Sequence, residues 1–229
     1  TKAAKEAGEL SKTCQTELIK IYNREVYNRK KDIVTRQMTK GILCEDDSIK
    51  IYSMVEGKMY FKNDEPLENE WFTGHPDIFL GDNIQNATQV DDIKSSFELD
   101  SFMPKLIEDA DKGYTAQLNV YFSLVGEQCT GGNIVYCLVS APESVLFQEH
   151  EYLLRAGNFI SPESPDFIAA WEKKQRLLVF DDIDYRERVI KISVPRNEEL
   201  IEKMKERVPI LRQWLQDFHE KHMNLYPKL

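Results

Sequence analysis

A length of 229 residues fits one or two domains, and 41% hydrophobic with 10% aromatic residues is enough for a packed core, which excludes wholesale disorder. The net charge of −9 argues against a protein that coats nucleic acid by bulk attraction. A mean hydropathy of −0.50, with Ile134 to Val139 as the longest strictly apolar run, excludes a membrane-spanning helix.

The N-terminus is rich in Lys and Glu and lacks the apolar core of a signal peptide. Leu10, Cys14, Leu18, Ile21 and Val26 recur at near-helical spacing, which predicts an amphipathic helix over the first 30 or so residues. From Lys20 to Lys40 the chain carries +5, against −14 for the rest. Such a run is either a solvated helix face or a local basic track for an anionic partner. A second helix is expected from about Thr35 to Val55, stopped by Gly57. Three strand-like runs follow, at 58–62, 71–80 and 88–95, with turn residues between them. Short turns join antiparallel neighbours, so these read as a three-stranded antiparallel meander.

A helix is predicted over 114–125, ended by Gly126. The apolar run 134–140 suits a strand buried on both faces. Residues 142–179 look helical and irregular, punctuated by Pro142, Pro162 and Pro165, and 188–194 alternates weakly as a last strand. Asn197 caps a long helix to about 222, which Pro209 should kink. The order implies an α/β (α+β) fold, a mixed sheet flanked by helices. We expect one domain over 1–229, with an N-terminal helical segment (about 1–35) and a C-terminal helix (about 197–222).

The chemistry concentrates between residues 41 and 121. Asp77 follows Pro76 near the end of the second strand-like run, and Asp92-Ile93-Lys94 lies on the third. Side chains alternate along a strand, so Asp92 and Lys94 share a face while Ile93 points into the core. If the two runs pair as a hairpin, Asp77 lies beside Asp92. Converging carboxylates repel unless a cation neutralises them, and Mg²⁺ takes such oxygen ligands. Lys94 is then placed to orient or deprotonate a water, or to stabilise charge on a phosphate. Glu45, four residues after Gly41, supplies a third acid on a helix. Gln117 and Tyr121 are i and i+4 and share a helix face.

Taken in order, Gly-x3-Glu on a helix, Pro-Asp on a strand, Asp-x-Lys on the next and Gln-x3-Tyr on the following helix resemble the PD-(D/E)xK nuclease superfamily. Within it the chain is similar to RecB-type nuclease domains and to lambda-exonuclease or YqaJ-like phage recombination exonucleases. The resemblance implies a restriction-endonuclease-like core and a Mg²⁺- or Mn²⁺-dependent exonuclease on linear double-stranded DNA. By the same resemblance Asp77, Asp92 and the Ile93 carbonyl hold metal, Glu45 holds it directly or through water, and Lys94 is the catalytic lysine. Gln117 and Tyr121 are the branch-specific helix pair. Arg24, Arg29 or Arg36, with Lys40, Ser95 and Ser96, are candidates for holding DNA.

A homo-oligomer and a single-strand annealing partner also follow from the resemblance; the cysteines, with no CxxC pair, make a reducing compartment the default, so a cytoplasmic setting, bacterial or phage-infected, is expected. Some relatives hold an iron–sulfur cluster on four cysteines, one upstream and three clustered downstream. Cys14, Cys44, Cys129 and Cys137 do not have that spacing, so no cluster is expected. An endonuclease on the same core and an inactive DNA-binding module are the rival readings. His75 is read as structural, and His219 and His222 as part of a solvated helix face.

Overall fold

The computed structural model describes residues 10–30 and 35–225, with the side chains of Arg36 and Gln37 outside that description. The chain forms two compact units, one from residues 1–33 with 199–229 and one from 34–198.

In the smaller unit, helix α1 (Lys12–Tyr27) starts where the Ser11 hydroxyl accepts from the Cys14 N–H, and it ends at Asn28 in the left-handed region. Its partner is the long terminal helix (Glu198–Leu225), which begins just after Asn197 and carries Pro209 inside it. The Tyr22 hydroxyl lies 2.9 Å from His219 Nδ1, and the Tyr27 hydroxyl 2.8 Å from His222 Nε2. Tyr22 also meets Phe218 edge-on. The two histidines thus bond the tyrosines of α1, while His219 stays exposed as expected of a solvated face.

The larger unit opens with α2 (Arg36–Leu43), capped by Thr35, and α3 (Glu45–Glu56), closed by Gly57 at φ 62°. The expected single helix thus breaks at Cys44, which is fully buried, and Glu45 becomes the first residue of α3. Glu45, Asp46 and Asp47 all fall in that first turn, where the helix dipole favours acids.

Residues 58–62 join no sheet, which corrects the expected meander. The run 71–80 also divides, because Pro76 has no N–H to give to a ladder. Its first part, β2 (Thr73–Gly74), pairs with β1 (Leu67–Glu68) as a small ribbon, and its second is β3 (Ile78–Leu80). The main sheet runs β3, then β4 (Gln89–Ser96), β5 (Gly131–Leu138) and β6 (Val189–Pro195). β3–β4 and β5–β6 are antiparallel, whereas β4 and β5 are parallel. The parallel step is made by a crossover through a one-turn helix, α4 (Leu99–Phe102), and α5 (Lys112–Val125). Residues 142–179 hold two helices, α6 (Glu143–Ala156) and α7 (Pro165–Gln175), and the terminal helix is α8.

Both faces of the sheet are covered. Leu118, Tyr121 and Phe122 of α5 pack on Val90, Ile134 and Leu138. On the other face Ile49 and Tyr52 of α3 pack on Ile93, Val135 and Cys137. Each such fully buried side chain contributes about 1.5–3 kcal/mol. No helix among the described residues is long and apolar enough to cross a membrane.

Candidate active site

The hairpin register sets Ile78 opposite Asp91, so Asp77, one residue before β3, falls beside Asp92. Asp77 Oδ2 accepts the Ile93 N–H at 2.6 Å. Asp92 is 1% exposed, and its carboxylate oxygens receive no hydrogen bond of good geometry. Its close partner is the Lys94 ammonium, 2.5 Å from Oδ2. That ammonium also lies 4.6 Å from the centre of the Tyr114 ring, so it is held between a carboxylate and a π face.

Burial pushes the Asp77 carboxyl up to about 6; the Asp92 charge adds to the rise and the Ile93 N–H opposes it. Burial also raises Asp92, against the opposing pull of Lys94. A buried and a half-buried carboxylate on adjacent strands, the buried one with Lys94 as its near counter-charge, form a donor set suited to a hard divalent cation. Among the described residues, no three His, Cys, Asp or Glu side chains are already gathered as a metal cage. Glu45 lines the same cleft, but its Oε2 is taken by Lys62 Nζ at 2.9 Å.

The cleft has a volume of about 570 Å³ and includes Glu45, Asp77, Asp92, Lys94, Ser95 and Ser96 in its wall. Gln117 lines it too and donates to the Tyr121 hydroxyl at 2.6 Å, so the i, i+4 pair is joined as well as co-facial. Tyr121 is buried, and burial raises its hydroxyl to about 12. Gly74 of β2 lies flat against its ring: a Cβ there would sit 2.7 Å from Cε1. Ser95 Oγ is 2.7 Å from Ser48 Oγ, a bond that spends part of its capacity on α3. His75 Nε2 donates to the Asn63 carbonyl, which makes it a structural residue.

The basic run divides. Lys40 is fully buried, with its ammonium donating to the carbonyls of Ser96 and Phe97, both at 3.0 Å. A lysine turned inward in this way cannot reach a DNA phosphate, so Lys40 is a structural strut between α2 and the end of β4. Burial lowers its pKa to about 8. Arg24 pairs with Glu25 on the surface of α1, and Arg29 follows that helix; both belong to the smaller unit. Arg36 opens α2, and its side chain lies outside the described residues.

Several residues of the site were not anticipated. Asp91 is 2% exposed on the opposite face of β4 from Asp92 and accepts from Tyr52, Gln89, the Asn133 backbone and the Asn133 side chain. So satisfied, it serves as a structural carboxylate. Tyr114 shares the face of Gln117 and Tyr121 at spacings of three and seven, a helical period readable from the sequence. Lys105 lines the cleft, paired with Glu108, and had no local signal.

No protein-family model and no curated protein matches the chain. Solved structures do. A phage-related exonuclease from Haemophilus somnus 129PT is similar with a TM-score of 0.69 and 24% identity, over 97% of this chain and 89% of that one. An alkaline exonuclease from Laribacter hongkongensis is similar with a TM-score of 0.61 and 11% identity, over 94% and 88%. The latter protein in complex with dAMP gives 0.59 and 11%, over 92% and 83%. At these identities the likeness speaks for architecture: the chain has the fold of the phage-related and alkaline exonucleases.

Proposed function

We propose that the chain is a Mg²⁺- or Mn²⁺-dependent deoxyribonuclease, acting as an exonuclease on linear duplex DNA in phage-type recombination or end resection. The observation that carries this reading is the Asp92 carboxylate, buried beside Asp77 and left without hydrogen-bond donors apart from its ion pair with Lys94. A fold has no stabilising use for two such acids side by side, so their presence fits a cation. The shared fold with proteins described as exonucleases supports the same conclusion, and a neighbour in complex with dAMP fits a nucleotide-sized product.

In this reading Asp77, Asp92 and the Ile93 carbonyl would hold the cation, with Glu45, now paired with Lys62, as the further acid of the same cleft. When bound there, such a cation would supply Lewis-acid polarisation of the phosphodiester. Lys94, fixed between Asp92 and the Tyr114 ring, would stabilise the charge added to the scissile phosphate. Gln117 and Tyr121 border the same wall and orient the substrate or Lys94. Ser95 and Ser96 offer polar groups to the DNA backbone, and Arg24, Arg29 and Arg36 remain candidates for phosphate contacts. A homo-oligomer around the duplex and a single-strand annealing protein are the partners this activity would use.

The test is degradation of an end-labelled linear duplex beside a covalently closed circle, in Mg²⁺ and in EDTA. Metal-dependent loss of the linear DNA alone is expected. Cutting of the circle would identify an endonuclease on the same core, and binding without cleavage an inactive module.

A further inference from the structure

Beside the cleft lies a second concavity of about 510 Å³, between α3 and the extended segment 58–62. Its wall is apolar, with Ile49, Met54, Met59 and Phe61 on it. Met59 is 78% and Phe61 72% exposed, so neither contributes to a core. Its rim is basic. Lys50, Lys58 and Lys62 line it against a single acid, Asp46, in a chain whose net charge is −9. Lys50 and Lys58 form no ion pair among the described residues.

The segment is fixed at both ends. The Lys58 N–H donates to the Ser53 carbonyl and the Tyr60 N–H to the Ser53 hydroxyl. The Tyr60 ring stacks on Tyr52 at 4.9 Å and 2°. Beyond Lys62, the Asn63 N–H donates to the carbonyl of Asp77 at 2.7 Å. The groove therefore borders the active cleft: its last lysine holds Glu45, which lines the cleft, and the next residue is bonded to the Asp77 carbonyl.

We propose that this groove carries an unpaired DNA strand next to the active site, with Lys50, Lys58 and Lys62 on its phosphates and Phe61 and Met59 against its bases. Interleaved lysines and exposed aromatic or thioether surface suit single strands, whose bases are free to stack; a duplex keeps its bases inside and offers phosphate alone. The inference rests on the exonuclease reading, because removing one strand of a duplex leaves its complement unpaired at the site of reaction.

The experiment measures binding of a fluorescent oligo(dT) and of a blunt duplex to the full chain in EDTA, for wild type, Lys50→Ala/Lys58→Ala and Phe61→Ala. None of these residues belongs to the metal site. Each variant is expected to weaken oligo(dT) binding by about tenfold and to leave blunt-duplex binding within about twofold. The double variant should also lower the salt slope by about 1.4, for two phosphates on a single strand.

Unchanged oligo(dT) affinity in both variants would overturn the proposal. A change of sedimenting mass in Phe61→Ala with oligo(dT) affinity retained would also overturn it and make the groove a contact between copies. If wild type degrades linear duplex but does not bind oligo(dT), the groove fails and the nuclease reading stands. If it neither degrades DNA nor binds it, both fall.

Discussion

The Ile93 N–H donates to Asp77 Oδ2 across the β3–β4 hairpin at 2.6 Å, so one backbone bond fixes the first acid against the strand that carries the second. It leaves Asp92 beside Asp77 with Lys94 as its near counter-charge. The site is thus arranged at the expense of stability, and its charge balance is open to measurement.

Asp77 makes the metal-free fold pH-sensitive. Its pKa rises from 3.8 to about 6 on folding, mainly through burial, so the native state binds more protons than the unfolded chain between those values. Stability from this group is present at low pH and is lost as pH rises from about 4 to about 6. Urea denaturation in EDTA should show Asp77→Asn gaining up to about 3 kcal/mol on wild type across that window. A constant difference between the two proteins would contradict the coupling.

Lys62 competes for Glu45. Because their 2.9 Å pair is partly exposed, it is worth no more than about 1 kcal/mol. Lys62→Ala should therefore tighten Mn²⁺ binding, by up to about fivefold in a calorimetric titration. Weaker Mn²⁺ binding would mean that Glu45 needs Lys62 to hold its position.

Gly74 has no room for a side chain. A Cβ would meet the Tyr121 ring at 2.7 and 2.8 Å and Leu124 Cδ1 at 3.0 Å. Gly74→Ala should destabilise by about 1–3 kcal/mol in urea and shift Tyr121 away from Gln117. Tyr121→Leu in the same chain should recover part of that loss.

Lys40 tests the inward reading of the basic run. Lys40→Ala removes the donor to the Ser96 and Phe97 carbonyls and opens a cavity against the Phe97 and Phe180 rings. A loss of about 3 kcal/mol is expected, with duplex affinity unchanged in the folded protein. Its folded pKa is lowered to about 8, so the native state binds fewer protons than the unfolded chain between about 8 and 10.5. Wild-type stability should therefore rise relative to the variant over that interval.

Much of the site was legible because strand alternation and helical spacing are local. Asp92, Ile93 and Lys94 take the faces that a two-residue period demands, and Gln117 and Tyr121 meet as i, i+4 neighbours. Gly57 and Gly126 end their helices as expected. What stayed hidden depends on distant partners. Lys40 looks like the end of a surface charge run until its carbonyls, 56 and 57 residues later, are brought to it. The helix break at Cys44 has no glycine or proline; the buried thiol donates to the Ser140 carbonyl. Residues 58–62 have strand composition, yet the Tyr60 ring is committed to Tyr52 and the Lys58 and Tyr60 N–H groups to Ser53.

The most direct test of the account is single-turnover cleavage of an end-labelled linear duplex in Mn²⁺ by wild type, Lys94→Ala and Asp92→Asn, with Mn²⁺ affinity measured alongside. Lys94→Ala should lose at least about 10²-fold in cleavage while binding Mn²⁺ at least as tightly as wild type does, since Asp92 loses a competing cation. Asp92→Asn should lose both cleavage and Mn²⁺ affinity. Cleavage at the wild-type rate by both variants would contradict the assigned site.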